Sequence, residues 1–325
     1  MYHVPDMMGE FIVSALFWQN AMETPVEVPA ANKYAQSETV KAPEDPRKKS
    51  TYAYHMAQRK KTDAFLHRHR KKLQARSFRP PVAQKTISDS KKPNLTMVFA
   101  SHPDDEILCC SHKIREKLEA GNRVKIVYIT DGDAINKSNA EKAREYARTR
   151  QDESITAASS LGLSRYDLFF LGFPDGHLKA LGSEPLTSDY SDRSKTPPGS
   201  FRPGSLYTRE ALLDNLEKVI TRFDPDEIFV PSSHLDRHAD HQETHHLVRE
   251  ALERTKHTTK LQTYVVHNLE FWLENKSSVN PWKLRLIRHF KSQFHDDWHQ
   301  TFLERFAALP EKFYPVDEEV VKSVD

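Results

Sequence analysis

Residues 95–106 read LTMVFASHPDDE, and their pattern indicates the class of the fold. The first half of this stretch, residues 95–100, is apolar except for Thr96 and has the length and composition of a buried strand. Its second half leads into a helix whose apolar side chains recur at Ile107, Cys110, Ile114 and Leu118. Gly121 then ends the helical pattern. A buried strand that passes through a polar turn into an amphipathic helix is typical of an α/β protein.

The same alternation of short apolar runs and amphipathic segments continues toward the C-terminus. Further strands are predicted at residues 124–129, 168–171, 228–230 and 263–266. A long helix is predicted to begin at a capping box of Ser138 and Glu141 and to end at Leu161. Two further helices are predicted over residues 206–223 and 242–254. The Pro-rich residues 176–205 are predicted to form a long loop. We therefore predict an α/β fold, a Rossmann-like and mainly parallel sheet with helices on both faces.

Charged residues divide the chain into two unlike parts. Residues 1–93 hold 17 Lys and Arg against 9 Asp and Glu, and residues 94–325 hold 31 against 37, although the net charge of the chain is only +2. Residues 1–45 are weakly patterned, whereas residues 46–92 are basic and partly helical in pattern. We predict an N-terminal extension over residues 1–93 and a separate domain over residues 94–325.

The basic residues 46–92 allow two interpretations. A run of Lys and Arg suits an anionic surface or nucleic acid. The alternative is a solvated basic helix that packs Ala64, Phe65 and Leu73 against the rest of the protein. We favour the helix and expect no nucleic acid as a partner, because the segment has no interleaved aromatic side chains on which bases would stack.

Composition also bears on location. No apolar run approaches the ~18–20 residues that span a bilayer. The apolar run at residues 11–18 is short, and Asp6 and Glu10 precede it where a signal peptide carries positive charge. Cys109 and Cys110 are the only cysteines, and adjacent cysteines are poorly placed for a mutual disulfide. We predict a cytoplasmic protein without a transmembrane segment.

Two loops at the carboxyl ends of predicted strands are crowded with His and acidic side chains. Residues 102–106 read HPDDE after the first strand, and residues 234–241 read HLDRHADH after the fourth. Ligands of open α/β sheets bind beyond these strand ends. The acids alone have a structural explanation, residues 104–106 as first-turn acids of a helix and Asp240 with Glu243 as a capping pair. Helix capping does not require imidazoles, so we favour a metal site.

A catalytic zinc ion needs about three protein ligands and one open position. His102 and Asp105 are three residues apart across the strand-to-helix turn, so both side chains can reach one site. His241 is the predicted third ligand, from the second loop. Asp104 is then free to act as a general base on bound water, and His238 faces the substrate side.

The two loops resemble the signatures of a known family. SHPDDE at residues 101–106 resembles the Ala-His-Pro-Asp-Asp-Glu motif of the PIG-L/LmbE-like family, zinc-dependent deacetylases of N-acetylglucosaminyl conjugates. HADH at residues 238–241 resembles that family's His-Pro-Asp-His motif. Ser101 and Ala239 are the departures from the two motifs. Weaker matches are Thr130-Asp131-Gly132, Arg150 with Glu153, residues 171–176 and Ser292-Gln293, so that the resemblance covers roughly residues 94–315.

The resemblance implies a role for each matching residue. His102, Asp105 and His241 would bind one Zn²⁺ per chain, or Fe²⁺ in its place, and Asp104 would be the general base. His238 would stabilise the oxyanion or supply a proton, with Asp240 orienting it. Arg150 and Asp175 would lie near the sugar of the substrate. The implied function is hydrolysis of the N-acetyl group of an N-acetylglucosamine-type conjugate by a metal-dependent N-deacetylase domain over residues 94–325.

Two alternatives from other classes stay open at this point. A metal-dependent amidase or esterase that acts on a non-sugar acyl group would use the same side chains. A non-catalytic protein would instead bind its partner through the basic residues 46–92. The sequence names neither the acetylated substrate nor the oligomeric state.

Overall fold

A computed structural model describes residues 93–134, 139–188, 192–268, 271, 275, 277–294 and 297–316. The predictions of a weakly patterned segment at residues 1–45 and of a basic helix at residues 46–92 lie outside these residues. The proposed division into an extension and a separate domain therefore stays a prediction.

The described residues form a six-stranded sheet of the order β3-β2-β1-β4-β5-β6. Its strands are β1 (Leu95–Ala100), β2 (Arg123–Thr130), β3 (Leu168–Phe173), β4 (Glu227–Pro231), β5 (Lys260–Tyr264) and β6 (Phe313–Pro315). Strands β1 to β5 pair in parallel, and β6 pairs antiparallel with β5. The sheet confirms the predicted mainly parallel α/β fold.

Six helices accompany the sheet in the described part of the chain. They are α1 (Asp105–Glu119), α2 (Ala140–Ser160), α3 (Arg209–Phe223), α4 (Ala239–Thr255), α5 (Pro281–Ile287) and α6 (Asp297–Ala308). Every residue of β1 is buried, as expected for a central parallel strand covered on both faces.

Alternate side chains of β1 enter two separate cores. Val98 points to one face, where the predicted apolar stripe of α1 packs together with side chains of α2, α5 and α6. Phe99 points to the other face, against apolar side chains of α3 and α4. The period of two along a strand thus distributes one apolar run over both layers of helices.

Three predicted helix starts were wrong, one of them that of α4, which begins at Ala239 and not at Gln242. Helix α2 is capped by Asn139, whose side chain accepts from the Lys142 backbone N–H, whereas the predicted cap residue, Ser138, lies outside the described residues. Helix α3 begins at Arg209 rather than near Leu206, because the Thr208 side chain caps it. In α2 and α3 a polar side chain that satisfies a free N–H decides the first turn, and apolar periodicity does not reveal it.

The described part of the predicted loop at residues 176–205 is held by internal hydrogen bonds. The Ser188 N–H donates to the Arg193 carbonyl at 2.7 Å, and the Tyr207 N–H donates to the Ser194 carbonyl at 2.9 Å. A bridge between Lys195 and Leu206 closes the segment into an antiparallel turn. No helix within the described ranges has the length and apolar character needed to cross a membrane.

Candidate metal centre

The candidate site lies where the strand order of the sheet reverses. Strand β1 pairs with β2 on one side and with β4 on the other, so the loops after β1 and β4 meet at the same edge. The first loop carries His102, and the second runs into α4, whose first turn contains His241. Crevices at such switch points are the usual ligand sites of open α/β sheets.

The three predicted metal ligands converge at this crevice. His102 Nδ1 lies 3.2 Å from His241 Nε2 and 3.6 Å from Asp105 Oδ2. His241 Nε2 lies 3.2 Å from the same Asp105 oxygen. Ligands of a tetrahedral zinc ion at about 2.0–2.2 Å are separated by about 3.3–3.6 Å. Two imidazole nitrogens and one carboxylate oxygen therefore form a triangle of the size that zinc requires.

Buried carboxylates lie close to the outward nitrogen of each histidine. Asp236 Oδ2 lies 3.0 Å from His241 Nδ1. Asp175 Oδ1 lies 3.0 Å, and Asp240 Oδ2 lies 3.3 Å, from His102 Nε2. Carboxylates in this position orient the ring of a metal-binding histidine and raise its basicity. The arrangement around both histidines fits a metal centre.

The charges of the site favour a cation at the triangle. Burial opposes the charged form of His102, yet the neighbouring Asp175 and Asp105 raise its pKa well above the usual value. Burial likewise opposes the charge of His241, and Asp105 and Asp236 nevertheless raise its pKa to about 10. The carboxylates thus attract positive charge strongly enough to overcome burial. A divalent ion bound by the three side chains would satisfy the same attraction.

Asp104 lies directly beside the triangle, in a strained backbone conformation. Its φ of 147° and ψ of −28° belong to a region that non-glycine residues rarely adopt. Burial raises the pKa of its carboxyl to about 7, against the opposing charge of Arg150. Arg150 NH2 lies 3.3 Å from Asp104 Oδ1. A carboxyl with a pKa near neutrality, fixed next to a metal site, is suited to accept and return a proton.

Arg150, a predicted substrate contact, is buried and engaged by protein acceptors. It donates to the carbonyls of Gly132 and Pro103 and to Gln293 Oε1, at 2.9–3.1 Å. Gly132 has a φ of 66°, and a Cβ there would lie 2.4 Å from Arg150 NH1, so a glycine is required for this approach. Arg150 also lies 3.7 Å from the second predicted substrate contact, Asp175.

His238 begins α4, and its ring faces the histidines of the triangle. Its Nδ1 accepts a hydrogen bond from the Asp240 backbone N–H at 3.2 Å, and its ring centroid lies 4.6 Å from that of His102. Burial and the neighbouring His102 and His241 lower the pKa of His238 to about 2. A neutral His238 that accepts at Nδ1 carries its proton on Nε2. In this form it can donate a hydrogen bond to an oxyanion, which is one of the two roles that the resemblance implies, but it does not carry the extra proton of an imidazolium.

The Asp240 carboxylate is buried and lies 3.3 Å from His102 Nε2. Its Oδ2 accepts from the Gly176 N–H at 2.7 Å, and its Oδ1 accepts from the Leu178 N–H at 3.2 Å. Asp240 reaches His238 through its backbone N–H. This carboxylate therefore connects His102 with the loop that follows β3.

Two functional candidates were missed in the sequence. His267 follows β5 at the same sheet edge, with its ring centroid 5.1 Å from that of His241, and Asp105, His241 and His267 form one of several groups of potential ligand atoms within 4.8 Å. Asp236 lies within the His- and Asp-rich residues 234–241, but the sequence analysis assigned it no role. A search for every His or Asp just after a predicted strand end would have found both.

Comparison with known protein families gives one match to the sequence that forms this site. The family model described as PIG-L, GlcNAc-PI de-N-acetylase, matches residues 97–252. No curated protein matches the chain significantly.

Several solved structures are similar to the chain at low identity. N,N'-diacetylchitobiose deacetylase from Pyrococcus horikoshii is 19% identical, covering 69% of this chain and 85% of that chain, with a TM-score of 0.48. The 4-carboxy-2-hydroxymuconate hydratase from Pseudomonas putida KT2440 is 17% identical, covering 66% and 82%, with a TM-score of 0.43. A deacetylase of teicoplanin biosynthesis is 15% identical, covering 68% and 97%, with a TM-score of 0.45. The activities in these names belong to those proteins.

The matched residues 97–252 contain both motifs that carry the resemblance, HPDDE at residues 102–106 and HADH at residues 238–241. The match confirms the predicted family and supports the predicted class of enzyme, a hydrolytic N-deacetylase. Residues 97–252 are therefore a PIG-L family domain.

Proposed function

We propose that the chain hydrolyses the N-acetyl group of an N-acetylglucosamine-type conjugate, with one zinc ion per chain, and releases acetate and an amino sugar. The observation that carries the proposal is the triangle of His102 Nδ1, Asp105 Oδ2 and His241 Nε2, with sides of 3.2–3.6 Å, inside a PIG-L domain. Asp104 and His238 flank the triangle and supply the proton chemistry.

His102, Asp105 and His241 would hold the metal, and the remaining coordination position would be open to water or substrate. A bound ion would supply Lewis acidity to the acetyl carbonyl and to the attacking water. Two histidines and one carboxylate also suit Fe²⁺, so the donor set by itself does not choose between the two metals.

Asp104 is the proposed general base. Its carboxyl lies beside the triangle and is held by Arg150, which contacts both its Oδ1 and the carbonyl of Pro103, the preceding residue. Asp104 accepts the proton of the attacking water and returns it to the nitrogen of the leaving amino sugar. Because this carboxyl is buried and fixed beside the triangle, the same group can take up the proton and return it.

His238 is the proposed donor to the acetyl carbonyl oxygen, on which negative charge develops during attack. The Asp240 N–H fixes its ring through Nδ1, which directs the Nε2 proton outward. A donor that is already oriented stabilises this charge without reorganisation. Arg150 and Asp175 are proposed to bind sugar hydroxyls, as the resemblance implies. Arg150 also lies 3.3 Å from Asp104 Oδ1, and its second proposed task is to hold Asp104 in place.

Metal analysis combined with an acetate-release assay tests the proposal. The purified chain is stripped with a chelator and reloaded with Zn²⁺ or Fe²⁺, and acetate is measured over a panel of N-acetylglucosamine conjugates. We expect one metal per chain and acetate release only from the reloaded protein.

Two results would replace parts of the proposal. Hydrolysis of non-sugar amides or esters, without acetate release from any sugar conjugate, would favour the alternative amidase or esterase. A chain that binds no metal would overturn the mechanism. The predicted cytoplasmic location and the role of residues 46–92 stay predictions.

A further inference from the structure

A second cluster of charged side chains, formed by Asp131, Asp133 and Arg193, lies next to the proposed metal site. The loop after β2 carries Asp131 and Asp133, whose side chains are 1% and 0% exposed. Arg193, from the segment that precedes α3, contacts both carboxylates, at 2.8 Å from Asp131 Oδ2 and 3.2 Å from Asp133 Oδ2. Two buried carboxylates so close together are costly unless a cation and hydrogen bonds compensate them.

The cluster connects to the proposed metal site through Asp133. The second oxygen of this carboxylate, Oδ1, accepts from the Asp175 backbone N–H at 3.2 Å. The Asp175 carboxylate in turn lies 3.0 Å from His102 Nε2. Three contacts therefore lead from the Arg193 guanidinium to a proposed metal ligand.

The loop between Asp131 and Asp133 is held from its other side as well. The Gly132 carbonyl accepts a hydrogen bond from Arg150 NH1 at 3.1 Å. Gln151 Nε2 donates to Asp131 Oδ1, also at 3.1 Å. Arg150 reaches Asp104, whereas Arg193 reaches Asp175 by way of Asp133. One short loop thus supports both the proposed base and a proposed ligand.

We propose that Arg193 is a positioning residue of the metal centre, which holds Asp175 against His102 through the Asp133 carboxylate. This assignment rests on the proposed function, since it takes His102 as a metal ligand. A simpler explanation is that Arg193 only anchors its own segment. That explanation predicts lower stability of the fold and an unchanged affinity for zinc.

The experiment measures the zinc Kd of the full chain by competition with a chelator, together with its Tm. The test variant is Arg193→Gln, and Arg193→Lys is the conservative variant that retains the charge. Arg209→Gln is the matched control, because Arg209 also pairs with two acids, Glu243 at 2.7 Å and Glu250 at 2.6 Å, on the surface of α3 and α4.

We expect Arg193→Gln to raise the zinc Kd about tenfold, at the low end of the ~10–100-fold typical of outer partners of metal ligands. Arg193→Lys should restore most of the affinity, since a single nitrogen makes both contacts in the structure. Arg209→Gln should leave the Kd unchanged. A Kd that is unchanged in Arg193→Gln, with a Tm lowered as in the control, would overturn the proposal.

A double-mutant cycle tests the route. If Arg193 acts through Asp175, the effects of Arg193→Gln and Asp175→Asn on the zinc Kd are not additive. Full additivity would show that the two residues act independently and would overturn the route. Should Arg193→Gln fail to fold, Asp133→Asn removes the same ion pair at almost constant shape and is expected to raise the Kd severalfold. An unchanged Kd in that variant would also overturn it.

Failure of this proposal is distinguishable from failure of the proposed function. The zinc Kd is measured without substrate, so a wild-type chain that binds zinc and releases no acetate defeats the proposed substrate alone. An active wild-type enzyme whose zinc affinity is indifferent to Arg193 defeats the positioning role alone.

Discussion

Charge pairs occur in two contrasting regions of the molecule, the edge of the sheet and the outer surface of α3 and α4. At the sheet edge, His241 lies 3.0–3.2 Å from Asp236 and Asp105, with all three side chains at most 1% exposed. On the surface, Arg254 lies 2.7 Å from Glu210, whose side chain is 72% exposed. The distances are similar, but the solvent around the charges is not.

The difference in burial separates charge pairs that can bind a cation from exposed ion pairs at the surface. Burying charges costs several kcal/mol per ion unless partners compensate. Exposed pairs typically contribute about 0.2–1 kcal/mol and are screened by salt. The buried cluster is thus a poor way to stabilise a fold and a good way to bind a cation. The following substitutions test this contrast.

The largest effect is expected from His241→Ala, which removes one side of the proposed ligand triangle. We expect loss of bound metal and of acetate release together, because two remaining ligands hold zinc far more weakly than three. Metal per chain after dialysis measures the first effect. Unchanged metal content would mean that another nearby histidine, His267 or His238, is the true third ligand.

Asp104→Asn is expected to separate metal binding from turnover. The amide keeps the shape of the side chain but cannot accept the proton, so kcat should fall about 10²–10⁴-fold. Zinc content should be that of the wild type. The exposed Asp152→Asn is the matched control, with wild-type kcat expected. Wild-type turnover of Asp104→Asn would refute its role as the general base.

Asp236→Asn should have an intermediate effect on metal affinity. Asp236 touches His241 at Nδ1, on the side away from the triangle. Loss of its charge should raise the zinc Kd about 10–100-fold. Chelator competition measures the change. An unaltered Kd would show that the His241 ring needs no carboxylate to orient it.

The smallest effect is expected from Arg254→Ala on the surface. Although Arg254 contacts Glu210 and Glu250, its loss should change the free energy of unfolding by less than about 1 kcal/mol. Urea unfolding measures this change, and zinc content and kcat should be unaffected. A larger loss in the free energy of unfolding would mean that the surface network is cooperative. Exposed and buried charge pairs would then differ less in their energetic contribution than we expect.

Most of the fold was predictable because it depends on short-range patterns. The β1 run at residues 95–100 was predicted with its observed bounds, and the other strands of the parallel sheet differ by a few residues at their ends. The helix starts at residues 140 and 209 were missed, since a cap depends on one side chain and not on periodicity. For the site, His102, Asp105 and His241 were predicted to converge, and the structure brings them together.

Other parts of the site depend on contacts between distant segments. Asp175 touches His102 across 73 positions of the chain, and Arg193 meets Asp131 across 62. His267 reaches the cluster only because β5 lies beside β4. Local residue patterns contain no information about such pairs.

By itself, the sequence determined which residue types stand at the strand ends, and therefore the family and the kind of chemistry, because apolar period and turn composition act within a few residues. Only the tertiary structure shows which nitrogen of His102 faces the triangle, that Arg150 lies beside Asp104, and that Asp133 contacts both Arg193 and the Asp175 backbone N–H. These features follow from the strand order, which brings together loops that are far apart in the chain and buries their charges in one place.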